Sequence, residues 1–170
     1  MKGLIRSLAR GKPQNQAVRR QRIRVSALAL SFTGAAGVGW ATAVLGDLPE
    51  GNILILGGAA YLQFTKAASA SGITATFDGT YSVGSTPTAD ATLTGTDIDV
   101  IGVATISAAT AGVSPVTRGV NATQVMLDNT DNSLELNLNV TIADASISAD
   151  TQAVTATGYV DIVYSVLGDD

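Results

Sequence analysis

From Ser133 to Ile142 every second residue is apolar: Leu134, Leu136, Leu138, Val140 and Ile142 alternate with Glu135, Asn137, Asn139 and Thr141. A period of two is the signature of a β-strand with one face in a core, because successive side chains point to opposite sides of the sheet. The same period returns from Val154 to Val166. There Val154, Ala156, Val160, Ile162 and Tyr164 share one side, with Thr155, Thr157, Tyr159 and Asp161 opposite. Gly158 interrupts this run and predicts a bulge or a close backbone approach. Two such strands cannot bury their apolar faces alone, so the rest of the chain must supply matching surface.

That surface is present. Short β-rich runs separated by Gly, Asp, Asn and Pro predict strands at Val25–Phe32, Gly37–Leu45, Asn52–Phe64 (with a break at Gly57-Gly58), Ile73–Phe77, Thr80–Val83, Asp97–Ile101 and Thr123–Leu127. Asp78-Gly79 reads as a hairpin turn. Asp128 to Asn132 reads as a polar hairpin loop with Leu127 and Leu134 at its ends. The expected fold is all-β, a jelly-roll-like β-sandwich occupying residues 25–170 as one domain, after a basic N-terminal arm over residues 1–24.

The chain has 170 residues with no cysteine and no histidine. Disulfides, thiolate metal sites, Cys nucleophiles and every Ser-His triad are thereby excluded. Charge is divided sharply. Residues 1–24 hold Lys2, Arg6, Arg10, Lys12, Arg19, Arg20, Arg22 and Arg24 and no acid, a net +8. The remainder sets Lys66 and Arg118 against all fourteen carboxylates, a net −12, which together make the overall −4. Such asymmetry marks a basic arm that engages an acidic surface or nucleic acid. Leu4, Ile5 and Leu8 could share one side of a short helix, which would need a partner to persist. The partner-binding residues expected in the arm are Leu4, Arg6, Leu8, Arg10, Arg19, Arg20, Arg22 and Arg24.

Residues Val25–Leu45 are uncharged and follow a basic stretch, imitating an export signal or membrane span. Their glycines, serines and threonines dilute the hydrophobicity, and strand alternation is the expected reading. Asp97-Ile98-Asp99 and the Asp128–Asp131 loop gather oxygen ligands but lack the pattern of a calcium loop, and ordinary turn carboxylates are expected there. Gly34 to Gly39 lacks the features of a phosphate loop and reads as a turn. Glu50 and Glu135 are the only glutamates, and no pair of acids with aromatic neighbours is indicated. No catalytic residue, cofactor or metal site is therefore expected, and Trp40, Phe32, Phe64 and Phe77 read as core or subunit-interface residues. Asn121-Ala122-Thr123 and Asn139-Val140-Thr141 match the glycosylation acceptor pattern, which has little value in a Thr-rich β protein.

Several segments resemble the small capsid decoration, or cement, proteins of tailed bacteriophages, particularly those of marine and cyanobacterial hosts. They are Gly46-Asp47-Leu48-Pro49-Glu50-Gly51-Asn52 leading into Ile53-Leu54-Ile55-Leu56-Gly57, then Val113-Ser114-Pro115-Val116-Thr117, Leu127-Asp128-Asn129-Thr130, and Val166-Leu167-Gly168-Asp169-Asp170. The resemblance implies a non-enzymatic virion protein, often trimeric, on the outer surface of an icosahedral head, bridging major capsid protein subunits. Its partners would be the major capsid protein and further copies of itself, with no nucleic acid and no membrane. Two other classes fit the residues: a host-recognition or carbohydrate-binding module, which would show exposed aromatics on one face, and an exported envelope or surface-layer protein.

Overall fold

The computed structural model describes residues 18–35, 37–68, 72–121, 123–144 and 152–168. Their strands are β1 (Arg19–Ala35), β2 (Val38–Asp47), β3 (Gly51–Lys66), β4 (Asp78–Gly84), β5 (Ile101–Ile106), β6 (Thr117–Val120), β7 (Val125–Asn129), β8 (Glu135–Ala143) and β9 (Gln152–Gly168). All pairings are antiparallel.

One sheet runs β1-β9-β3, with β6 and β7 sharing the far side of β3; the other runs β2-β8-β4-β5. β7 pairs with Gly51–Ile55 and β6 with Ala59–Leu62, so together they act as one interrupted strand. The sheets join where β1, having paired with β9 as far as Phe32, turns to β2 across Thr33–Ala35. First and last strands lie side by side and the chain crosses repeatedly between sheets. This is the jelly roll, two Greek keys wrapped into a double sheet, as the strand patterns predict.

The core lies between the sheets. Leu30, Phe32, Ile53, Ile55, Leu62, Phe64, Val160 and Ile162 meet Tyr81, Val83, Ile101, Leu136, Leu138, Val140 and Ile142, all essentially inaccessible to water. Tyr81 crosses this core. Its ring packs on Phe64 at 5.5 Å between centroids, and its hydroxyl donates to the Thr117 carbonyl at 3.1 Å in the opposite sheet. Burial pushes that phenol well above its ordinary pKa, so it stays a hydrogen-bond donor. No buried side-chain nitrogen or oxygen among the described residues lacks a partner.

The structure corrects several local expectations. The arm does not extend to Arg24, because β1 begins at Arg19 and is paired with β9 from Arg19↔Tyr164 onward. Alternation explains this: Ile23 and Val25 face the core and Arg20, Arg22 and Arg24 face out, so the basic stretch carries a strand pattern that its charge conceals. Ile73–Phe77 is a loop rather than a strand. Asp144 accepts hydrogen bonds from the Thr74 amide and hydroxyl at 2.6 and 2.7 Å, while Ile73 and Phe77 plug the core. Asp78-Gly79 opens β4 rather than turning a hairpin, and Gly79 is required where a Cβ would strike the Thr141 carbonyl. Asp97–Ile101 is not a strand: it starts on the last residue of a 3-10 turn at Gly95–Asp97 and reaches only the first residue of β5.

The Asp128–Asn132 loop is not a hairpin either, because β7 and β8 belong to different sheets. Asp128 bonds Thr130 and Asp131 bonds Ser133 in paired side-chain turns, which reverse the chain without strand pairing. Gly158 is the predicted close approach: with φ +146, its Cα leaves no room for a Cβ against the Tyr61 carbonyl. Opposite it β1 bulges between Val25 and Leu28, with Ala27 at φ 48. Val25–Leu45 forms strand, hairpin and strand, and no helix among the described residues is long and apolar enough to cross a membrane.

The outer side of β8 differs most from expectation. Asn137, Asn139 and Thr141 alternate with the core residues as predicted, yet they are 2%, 0% and 8% exposed. The long β4–β5 connection, residues 85–100, folds back over that face. Asn139 accepts from Thr42 Oγ1 and the Thr88 amide, both at 2.9 Å, and donates to the Thr86 and Asp97 carbonyls at 2.9 and 3.1 Å. Gly84 lets the connection lie directly on the strand, where a Cβ would collide with Thr96 and Asp97. The buried Asn139 is consequently no glycan acceptor in the folded chain.

Candidate functional site: a cationic face with paired tyrosines

Among the described residues nothing folds over the outer side of the β1-β9-β3 sheet in this way. Strand register puts Arg24, Tyr159, Tyr61 and Arg118 in one cross-strand row, through the pairs Arg24↔Tyr159, Tyr159↔Tyr61 and Tyr61↔Arg118. The next row holds Arg22, Asp161 and Ala59. The described residues include six cations, Arg19, Arg20, Arg22, Arg24, Lys66 and Arg118. Four of them therefore stand on this one face.

The centre is rigidly built. Arg22 grips Asp161 through Nε at 2.8 Å and Nη2 at 2.7 Å, and Arg20 Nη2 adds a third bond at 2.8 Å. Two-point guanidinium–carboxylate pairing fixes orientation as well as charge. The Arg22 guanidinium also lies over the Tyr159 ring, 4.1 Å from its centroid, and Arg118 sits 5.8 Å from the Tyr61 centroid. The two tyrosine rings are 5.1 Å apart with their planes tilted by 31°. The Arg22 hydrogen bond, reinforced by Arg20, holds the Asp161 carboxyl well below the usual carboxylate range against the opposing effect of its burial. A depressed carboxyl stabilises the fold above its unfolded pKa of about 3.9, and that contribution is lost as pH falls through the folded value.

Beside this cluster runs a trough of about 460 Å³, lined by Arg20, Arg22, Leu56, Gly57, Gly58, Ala59, Tyr61, Tyr159, Asp161 and Val163. A second depression of similar volume lies at the Asp78 end of β4, between Val38, Thr80 and residues 105–108. It carries no cation.

Of the partner-binding residues expected from sequence, Arg20, Arg22 and Arg24 come together on this face. Arg19 lies on the opposite parity at the start of β1, and Leu4, Arg6, Leu8 and Arg10 lie outside the described residues. Tyr61, Tyr159, Arg118 and Asp161 are functional candidates that the linear sequence did not single out. Their signal was the outward parity of Tyr159 and Asp161 on the strand at Val154–Val166. Asp97 and Asp99 serve the β4–β5 connection: Asp97 accepts from Thr86, and Asp99 accepts from the Ser85 amide and hydroxyl at 2.8 and 2.6 Å. Burial raises the Asp99 pKa, opposed by those bonds. No cluster of three or more potential metal ligands forms among the described residues.

No protein-family model matches the chain, and no curated protein matches its sequence. Among solved structures it is similar to a chain described as the structure of infectious bursal disease virus Gx strain, at a TM-score of 0.43 and 15% identity, over 91% of this chain and 34% of that one. The present chain spans about a third of the length of that solved chain.

Proposed function

We propose that this chain is a structural virion protein, a decoration or cement protein that sits on the outside of a phage head as a homotrimer and bridges major capsid protein subunits. The observation that carries the reading is where the fold puts two of the segments that resemble such proteins. Gly46–Asn52 and Leu127–Thr130 are far apart in sequence, yet Asn129, fully buried, donates to the Leu48 and Pro49 carbonyls at 3.1 and 2.9 Å and accepts from the Leu134 amide at 2.8 Å. These segments build one rigid end of the sandwich, which suits a role in scaffolding and contact. The jelly roll is a frequent architecture of virion proteins but also of lectins, so the fold alone is an analogy.

Self-association is supported by the edge strands. Val103 on β5, Val120 on β6 and Met126 on β7 are 50%, 46% and 60% exposed, joined by Val116 at 62%. Unpaired edges with apolar side chains and few charges are hazardous in a monomer and useful in a subunit contact. In this reading the arm, with Leu4, Arg6, Leu8 and Arg10, anchors the protein to an acidic shell surface.

The test is rebinding to stripped particles. Deleting residues 2–17 leaves β1 intact from Arg19, so β-sheet circular dichroism and oligomeric mass should be unchanged. Rebinding at low salt should fall about tenfold or more, as expected when several screened charge contacts are lost together. Normal rebinding by the truncated protein at both low and high salt would falsify the anchor.

A further inference from the structure

We propose that the trough on the β1-β9-β3 face is a binding site for an acidic saccharide, a sugar bearing a carboxylate or a sulfate ester. This goes beyond the capsid reading and does not depend on it.

The first ground is Gly57. A glycine inside a strand costs about 0.5–1 kcal/mol relative to alanine, so its presence calls for a reason. Its neighbour Gly58 has one, because a Cβ there would lie 2.8 Å from Ile101 Cδ1 and 3.0 Å from the Asp161 carbonyl. Gly57 follows a register shift of β3 between Ile55 and Gly57, yet neither sterics nor backbone angle requires glycine there: its φ is not positive, and a Cβ would meet nothing within 4 Å. What the missing side chain does is leave the trough floor open. Glycine in a strand interior marks a bulge or a place where a ligand or another backbone approaches closely, and the open floor at Gly57 permits the second.

The second ground is the set of groups around that floor. Arg22 commits Nε and Nη2 to Asp161 and Arg20 commits one Nη2, so the remaining donors of both guanidinium groups are unspent among the described residues. Neither the Tyr61 nor the Tyr159 hydroxyl has a partner among them. Arg20 and Arg22 line the trough against the single carboxylate of Asp161, with Arg24 and Arg118 farther out on the same face; this balance favours an anion, and planar guanidinium groups suit a carboxylate or sulfate. The tyrosine hydroxyls and Asp161 offer partners for sugar hydroxyls. Leu56, Gly57 and Ala59 offer an apolar floor for a C–H face. Because Asp161 and Tyr159 already hold Arg22 in place, little ordering remains to be done on binding. A volume of about 460 Å³ lies within the usual range of small-ligand sites.

Other ligand classes fit less well. An extended peptide adds to a sheet edge, but β9 is paired on both sides by β1 and β3, and the gap that β7 and β6 leave along β3 spans only Leu56–Gly58, where the Gly58 carbonyl already accepts from the Asn121 amide. A single-stranded nucleic acid needs free aromatic faces in series, and Arg22 and Arg118 lie over the rings of Tyr159 and Tyr61.

The experiment titrates the purified full chain separately with tri-galacturonic acid, a sulfated lactose, plain lactose, and a ten-residue oligothymidylate, following tyrosine ring resonances by NMR. Saturable shifts of Tyr61 and Tyr159 are expected with one or both acidic sugars, the two arms distinguishing carboxylate from sulfate, with binding at least tenfold weaker for lactose. Gly57→Leu should fill the trough and weaken acidic-sugar binding at least tenfold while keeping the wild-type melting temperature. Should that variant not fold, the wild-type ring shifts alone decide. The proposal is overturned by no saturation with either acidic sugar, by equal binding of lactose, or by undiminished binding to a folded Gly57→Leu. Preferential binding of the oligonucleotide, or a change of oligomeric mass in Gly57→Leu, would overturn it in favour of a nucleic acid or a second copy of the chain.

Discussion

Replacing Leu136 by aspartate should lower the free energy of unfolding by about 4 kcal/mol or more and leave little folded protein at 37 °C. Leu136 is 1% exposed and belongs to the β8 row that fills the space between the two sheets. An aspartate there would either ionise without a partner or stay protonated with its polar atoms unmet, and each state is costly in a medium of this kind. Leu136→Met keeps the volume and the apolar character and should cost less than about 1.5 kcal/mol. Denaturant titration of both variants, read by circular dichroism, compares them directly. Equal midpoints for Leu136→Asp and the wild type would place this residue outside the core.

Asn139→Leu should cost about 3–5 kcal/mol although it exchanges a polar side chain for an apolar one on the side of β8 that sequence patterning assigns to solvent. All four hydrogen-bonding positions of its amide are used, on Thr42, Thr88, Thr86 and Asp97. Removal leaves the Thr88 amide and the Thr86 carbonyl without that partner beneath the β4–β5 connection, and the Asp97 carbonyl keeps only Ser82 Oγ. Each buried group deprived of a partner costs about 1–3 kcal/mol. Asn137, whose amide makes one bond to the Glu135 carbonyl, should be the milder position. Hydrogen exchange distinguishes the mechanism: amides in residues 85–100 should lose protection before those of β8. A cost below about 1 kcal/mol, with the connection still protected, would mean that Asn139 does not hold it down.

These two residues show what could be read from sequence. The alternation of Leu134 to Ile142 is a local property, and it assigned the core face of β8 correctly. What covers the other face is not local. Asn139 is buried by a segment more than forty positions earlier, and its polarity signals satisfied hydrogen bonds as readily as water. The start of β1 is hidden in the sequence for a related reason, since Arg20, Arg22 and Arg24 look like a solvated arm until Asp161, 139 positions from Arg22, is found opposite. The short β6 at Thr117–Val120 has too little apolar pattern to announce itself.

The candidate site was the least legible part. Tyr61 and Tyr159 pair only because β3 and β9 are neighbours, and that adjacency follows from the order of strands in the jelly roll rather than from any motif. The sequence also gave no reason to separate Gly57 from Gly58. Their difference appears only when the space around each is known. By contrast, the absence of Cys and His, the +8 stretch over residues 1–24 and the acidic remainder are properties of composition, and they constrained the chemistry from the start.

The proposed role is that of a repeated component of a virion shell. It is tested most directly by quantitative mass spectrometry of purified intact particles, with the chain and the major capsid protein measured in the same sample. The chain should copurify through density-gradient sedimentation at a constant ratio to the major capsid protein, in copy numbers that scale with the shell. Absence from particles, or a few copies per particle as for a fibre or spike, would contradict it.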